Sequence, residues 1–223
     1  MSNIELDKEE KEVFELIKEF LTKKSIINVL ELQNSITNRL RNNPNYNKYK
    51  IEKIIKSLMK KKLILIGSRL SKEDILAIPI RKNIYEIIQK EPGININEIK
   101  RKFNLGSNQV IWHVKMLNDF NFIRTLQIGN QNALFEFNFD KNNEHIVFYL
   151  RNDKVQEILE LLENNINPLK LTKISELLNI HYNTVKKYLF ILLKFNIIEK
   201  VNGSRKKSYK LNQEVYLKLI KSS

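Results

Sequence analysis

The segment Ile96-Asn-Glu-Ile-Lys-Arg-Lys-Phe-Asn-Leu-Gly-Ser-Asn-Gln-Val-Ile-Trp-His-Val-Lys-Met-Leu-Asn-Asp-Phe-Asn-Phe-Ile123 falls, without a gap, on Leu171 through Ile198 when the chain is slid on itself by 75 positions. Ile99 meets Ile174, Asn104 meets Asn179, Leu105 meets Ile180 and Asn108 meets Asn183. Further on, Val110 meets Val185, Val114 meets Leu189, Leu117 meets Leu192, Phe120 meets Phe195 and Ile123 meets Ile198. The matches are mostly apolar and recur at helical spacing, which is what two copies of one core share.

Working outward, each copy reads alike. A first amphipathic helix is expected from Arg81–Lys90 and from Asp153–Asn164. After a short extended stretch, a second helix is expected from about Asn97 or Thr172, both suitable N-cap residues. Tight turns follow at Asn104-Leu-Gly106 and Asn179-Ile-His181, and third helices run to about Asp119 and Lys194. Phe122–Ile128 and Ile197–Val201 read as strands; each leads through a Gly-containing polar turn to a second strand, Leu134–Phe139 or Ser208–Leu211. Three helices followed by a two-stranded hairpin make a winged helix-turn-helix. The expected fold class is mainly α with small β-hairpin wings, as tandem winged helix-turn-helix domains.

The N-terminal third reads as a degenerate relative. Its helices are expected at Lys8–Lys23, Asn28–Arg41 and Lys48–Lys62, with Ile51, Ile55, Leu58 and Ile64 in the places of Val110, Val114, Leu117 and Ile123. Residues 42–47 form a long turn, and Leu63–Ile66 reads as a strand with no wing after it. Ser71-Lys-Glu-Asp74 resembles a capping box that opens a short connecting helix ending before Pro79. The expected modules are therefore 1–70, 71–147 and 148–223.

Composition narrows the function. The 223 residues carry 39 Lys+Arg against 25 Asp+Glu, a net charge of +14. Abundant Lys, Asn and Ile are what an A+T-rich coding sequence produces, but the charge is uneven. Residues 1–70 hold 15 basic and 9 acidic side chains, residues 71–147 hold 10 and 9, and residues 148–223 hold 14 and 7. Uniform codon bias does not leave the middle third neutral, so the ends point towards a polyanion. The absence of Cys excludes disulfides, thiolate metal sites and a Cys nucleophile. No apolar run reaches the roughly 18–20 residues of a membrane span, and Met1–Asp7 does not start a signal peptide. A cytoplasmic, nucleoid-associated location without membrane insertion is expected.

Residues 80–139 resemble archaeal winged helix-turn-helix transcriptional regulators of the broad MarR/ArsR kind. The carriers are Pro79-Ile-Arg-Lys-Asn-Ile-Tyr85, Pro92-Gly93-Ile94 and Val110-Ile-Trp-His-Val-Lys-Met-Leu117. Residues 153–211 are similar to the same superfamily less specifically. The resemblance implies a DNA-binding regulator, although winged helices also serve as protein-binding modules.

In such modules the third helix lies in the major groove and the wing touches backbone or minor groove. The candidate DNA-binding residues are Tyr182, Asn183, Lys186 and Lys187 on the C-terminal third helix, with Arg205, Lys206 and Lys207 on its wing. Asn can bond adenine in bidentate fashion, and Lys can reach guanine or phosphate. Ser107, Asn108 and Lys115 hold the corresponding face in the middle module, but Ile111 and Trp112 sit beside them and its wing turn carries no cation. That module is expected to be a structural or dimer-forming hub. In the N-terminal module Lys53, Lys56 and Lys60 form one helical stripe. The acidic first helix is either a solvated face or a shield over that stripe.

His113 is expected to be structural, and His181 to cap the recognition helix or contact phosphate. No metal-ligand spacing, phosphate loop or catalytic motif is present, so no enzyme activity, cofactor or metal is expected. Two readings follow. One is a transcriptional regulator that binds double-stranded DNA, most strongly through its C-terminal module, with a two-fold site suiting a homodimer. The other is a protein-interaction scaffold of tandem winged helices, ESCRT-II-like or RNA-polymerase-associated, that engages a protein partner through the apolar recognition helices around Phe190.

Overall fold

A computed structural model describes residues 5–23, 27–68, 70–202 and 207–222. The chain forms two compact units, Met1–Phe139 and Asp140–Ser223.

The first unit opens with helices α1 (Lys8–Lys23), α2 (Val29–Arg39) and α3 (Lys48–Lys60). Asn28 caps α2 by accepting from the Leu30 amide at 3.0 Å, and Asn47 caps α3 by accepting from the Lys50 amide at 2.8 Å. Apolar residues three and four apart on each helix, including Val13, Ile17, Leu32, Ile36, Ile51, Ile55 and Leu58, close one core. A four-residue helix, α4 (Lys72–Ile75), follows with a capping box: Asp74 accepts from the Ser71 amide at 2.8 Å. Next come α5 (Pro79–Lys90), β1 (Ile94–Asn95), α6 (Ile96–Phe103), α7 (Ser107–Asp119), β2 (Ile123–Ile128) and β3 (Gln131–Glu136). Pro79 suits the first turn of α5, where its missing N–H has no partner to lose. The strands pair antiparallel in the order β1-β3-β2, with Ile94 opposite Leu134 and Ile123 opposite Glu136. A second core gathers Ile75, Ile84, Ile88, Ile99, Val110, Leu117, Phe120 and Leu134.

The second unit repeats that plan: α8 (Glu144–Leu150), α9 (Asp153–Glu163), β4 (Leu169–Lys170), α10 (Leu171–Leu178), α11 (Tyr182–Lys194), β5 (Ile198–Asn202), β6 (Lys207–Leu211) and α12 (Gln213–Ser222). Its sheet runs β4-β6-β5, and its core includes Ile146, Val155, Ile158, Leu162, Ile174, Val185, Leu189, Leu192 and Ile198.

One helix ending occurs three times. After α3, α7 and α11 the chain turns left-handed at Lys62, Asn121 and Asn196, each at φ +56°. The next amide reaches back to the helix, Leu63 to the Leu58 carbonyl at 3.0 Å, Phe122 to Leu117 at 2.9 Å and Ile197 to Leu192 at 3.0 Å. This closure satisfies carbonyls that the helix end would otherwise orphan, and it turns Ile64, Ile123 and Ile198 back into their cores. Asn104 and Asn179 end α6 and α10 in the same conformation, at φ +50° and +51°. Asn tolerates that region better than most residues.

Four sequence expectations are corrected. The hairpins are three-stranded sheets, because the short stretch before the second helix pairs with the last strand: Ile94 with Leu134, and Leu169 with Tyr209. The second helices begin earlier, so their caps are Asn95 and Lys170 rather than Asn97 and Thr172. The middle module's return strand starts at Gln131, directly after the Gly129–Asn130 turn, and ends at Glu136. Leu63–Ile66 is no strand; Ile64 makes a single bridge to Ser71, a hairpin cut down to one rung.

Candidate nucleic-acid interface

The turn before α11 is held by its own side chains. His181 accepts from the Asn183 amide at 3.2 Å, which places Tyr182 and Asn183 in the first helical turn with both side chains exposed. Val185, Leu189 and Leu192 face the core. The 3.6-residue period therefore turns Lys186, Lys187 and Phe190 outwards, and Phe190 is 70% exposed. The Lys187 ammonium lies over the Tyr188 ring, 5.5 Å from its centroid.

The β5–β6 hairpin sorts its charges by face. Glu199 pairs across the ladder with Lys210, and their side chains form an ion pair of 3.0 Å. On the opposite face, Lys200 stands opposite Tyr209, two residues from Lys207. Lys207 lies on the same face of the ladder, and its side chain, together with some desolvation, holds Lys200 below the ordinary lysine value. An anion between the two cations would relieve that repulsion. Lys207 is exposed at the start of β6, whereas Arg205 and Lys206 lie outside the described residues. Lys200 is a residue the sequence reading passed over. Strand alternation across a known register was the signal that could have found it.

A second missed cation is Lys170. It caps α10 with no side-chain hydrogen bond, while its counterpart Asn95 accepts from the Glu98 amide at 3.0 Å and Glu98 returns a bond to the Asn95 amide at 2.9 Å. The C-terminal copy thus replaces a capping box, Asn95 and Glu98, by Lys170 and Lys173. Cations at a helix N-terminus oppose its dipole, so this exchange lowers local stability and raises local positive charge.

In the middle module Ser107 and Asn108 are exposed in the first turn of α7, and Lys115 pairs with Asp119 at 3.4 Å. Ile111 and Trp112 are 49% and 48% exposed. His113 is buried, and burial together with the nearby Arg81 charge lowers its pKa, as suits a structural imidazole. An open cleft of about 450 Å³ between α6 and the β2–β3 turn is lined by Asn95, Asn97, Arg101, Asn130, Gln131 and Asn132, mostly amides.

In the N-terminal module Lys53, Lys56 and Lys60 are all exposed on α3. Lys56 pairs with Glu52 on its own helix at 2.6 Å. The α1 carboxylates reach past the stripe instead: Glu9 binds Lys50 and Glu10 binds Lys61, each at 2.6 Å.

Residues 79–124, from α5 into β2, match the family described as winged helix-turn-helix DNA-binding. That stretch carries the winged helix-turn-helix arrangement, α5, α6 and α7 leading into the β2–β3 hairpin. Over 170 residues the chain is 25% identical to MJ1398, an uncharacterized HTH-type transcriptional regulator of Methanocaldococcus jannaschii, a match covering 75% of this chain and 43% of that one. The chain therefore spans less than half the length of that curated relative. Among solved structures, ScpB from Mycobacterium tuberculosis aligns at 10% identity and a TM-score of 0.25, covering 67% of this chain and 97% of that one. A conserved hypothetical protein from Chlorobium tepidum aligns at 15% identity and a TM-score of 0.25, over 67% and 99%. Among the described residues no helix is long and apolar enough to cross a membrane. No group of three or more His, Asp or Glu residues there could hold a metal ion.

Proposed function

We propose that the chain is a transcriptional regulator that binds double-stranded DNA through its winged-helix modules, most strongly through the C-terminal one. In this reading the modules are 1–70, 71–147 and 148–223, and the protein acts on cytoplasmic, nucleoid DNA without enzymatic chemistry. The observation that carries it is the crowding of Lys200 and Lys207 on one face of the β5–β6 hairpin, while Lys210 on the other face is neutralised by Glu199. Lys186, Lys187, Asn183 and Tyr182 present a compatible face on α11. Cations supply salt-dependent affinity through phosphates, and Asn183 and Tyr182 supply contacts to base edges or sugars. Arg205 and Lys206 extend the positive wing by sequence. Lys53, Lys56 and Lys60 offer a further phosphate-binding stripe, and Ser107, Asn108 and Lys115 a weaker face on α7. The similarity to an HTH-type regulator supports the same reading.

The test is fluorescence anisotropy with A+T-rich and mixed duplexes across a salt series, comparing wild type with Arg205→Ala/Lys206→Ala/Lys207→Ala. Affinity should fall steeply with salt and less steeply in the variant, at a slope of about 0.9 per phosphate contact. Binding that is absent, or indifferent to the wing, would overturn the reading. The rival then gains: Phe190 at 70% exposure, with Ile111 and Trp112, suits a protein partner better than a charged groove.

A further inference from the structure

Arg81 is fully buried, at 0% exposure, and lies in the first turn of α5. One terminal nitrogen, Nη1, donates to the Ile75 carbonyl at 3.0 Å. Its Nε and Nη2 are buried with no hydrogen-bond partner, and so is Nδ1 of His113. The guanidinium carbon sits 4.8 Å from the centroid of the Trp112 ring, which meets the His113 ring edge-on at 4.9 Å. Trp112 is itself 48% exposed, so the aromatic ring that touches the guanidinium also touches solvent.

The other copy shows what this position needs for folding alone. Seventy-five residues on, Gln156 takes the place of Arg81 and Leu150 that of Ile75, and the Gln156 amide donates to the Leu150 carbonyl. A neutral side chain therefore performs the same anchoring of the preceding helix. The positive charge of Arg81 and its two free donors are surplus to that role, and a buried cation without a counter-ion is costly to keep. Nε and Nη2 are the parallel pair of a guanidinium that grips two oxygens side-on. Burial strengthens such a grip by excluding competing water. Lys187 and Tyr188 replace Trp112 and His113 in the C-terminal copy, so the whole arrangement belongs to the middle module.

We propose that Arg81 anchors a binding site for a small-molecule oxyanion, a carboxylate or a phosphate, closed by the Trp112 side chain. The anion's two oxygens take the Nε and Nη2 donors, His113 offers Nδ1 at the edge, and Trp112 turns outwards to admit the ligand. Because Trp112 lies on the outer face of α7, an occupied site would alter that face; the site itself does not depend on the DNA-binding reading.

Trp112 is the single tryptophan of the chain and reports directly. The full-length protein is titrated with acetate, benzoate and inorganic phosphate against chloride at matched ionic strength, following tryptophan emission. At least one oxyanion should give a saturable change that chloride does not. Arg81→Gln, which copies the Gln156 arrangement and keeps the bond to Ile75, should weaken binding at least tenfold. Arg81→Lys keeps the charge, loses the fork and should weaken it comparably. A response that follows ionic strength alone overturns the proposal, as does one produced only by duplex DNA. So does an affinity within threefold of wild type in either variant; Arg81→Lys decides the matter if Arg81→Gln does not fold.

Discussion

The series β1, α6, α7, β2, β3 and the series β4, α10, α11, β5, β6 follow one plan twice, yet dress it in opposite ways. The middle copy closes α6 with a capping box, covers a buried arginine with Trp112 and lines its wing cleft with amides. The C-terminal copy puts Lys170 where Asn95 stands, Lys187 where Trp112 stands, and like charges on one face of its wing. Cores are constrained by volume and burial, so they diverge little. Outer faces carry no such constraint and record what each copy meets.

The comparison breaks first at the core if it is wrong. Leu117 and Leu192 occupy equivalent positions and are both 0% exposed. Truncating either to Ala should cost about 2–5 kcal/mol, with similar losses for the pair. Denaturant unfolding read by Trp112 emission checks the first, and hydrogen exchange of α11 checks the second. A loss below about 1 kcal/mol at one position would mean that the two cores are not alike.

The next largest effect concerns the faces. Lys186→Ala/Lys187→Ala should reduce the salt slope of DNA binding by about 1.8, at roughly 0.9 per cation, while Lys115→Ala should leave it nearly unchanged. Lys115 is already paired with Asp119. Equal effects at both sites would erase the proposed division between the modules.

Exchanging the caps sharpens the contrast. Lys170→Asn/Lys173→Glu should install a capping box and stabilise α10 by about 1 kcal/mol, and Asn95→Ala should cost α6 about the same. Thermal melts and hydrogen exchange read both. The first change should also weaken DNA binding if Lys170 contacts phosphate.

The smallest effect is pH dependence. Burial, then the Arg81 charge, lowers the His113 pKa in the folded state below its ordinary value near 6.5. The unfolded chain therefore takes up a proton more readily at this site. Stability contributed by neutral His113 is present above about pH 6.5 and declines as pH falls towards the lowered folded value. Trp112-monitored unfolding of wild type should show stability falling on acidification from pH 7 to 5, and His113→Gln should flatten that part of the profile.

Much of the fold was legible because apolar spacing is local. Ile51, Ile55 and Leu58, or Val185, Leu189 and Leu192, are read straight from helical period, and α1 has the expected ends. The edge strands β1 and β4 were not legible: two residues carry no periodic signal, and only pairing with β3 and β6 makes them strands. The caps at Asn95 and Lys170 were missed for the same reason, since strand pairing sets where the following helix begins. Tyr182, Asn183, Lys186 and Lys187 could be assigned to an outer face from period alone. Lys200 could not, because its neighbour Lys207 lies across a ladder whose register no short sequence window contains.

The sequence by itself determined the repeat, its helices and turns, and the uneven distribution of positive charge. These follow from side-chain period and composition, which need no partner. Tertiary structure alone decided which polar atoms meet. It set Lys200 against Lys207, and it buried Arg81 beneath Trp112 with two donors unmet. Burial and through-space contact bring together residues far apart in the chain, so neither could be read from spacing.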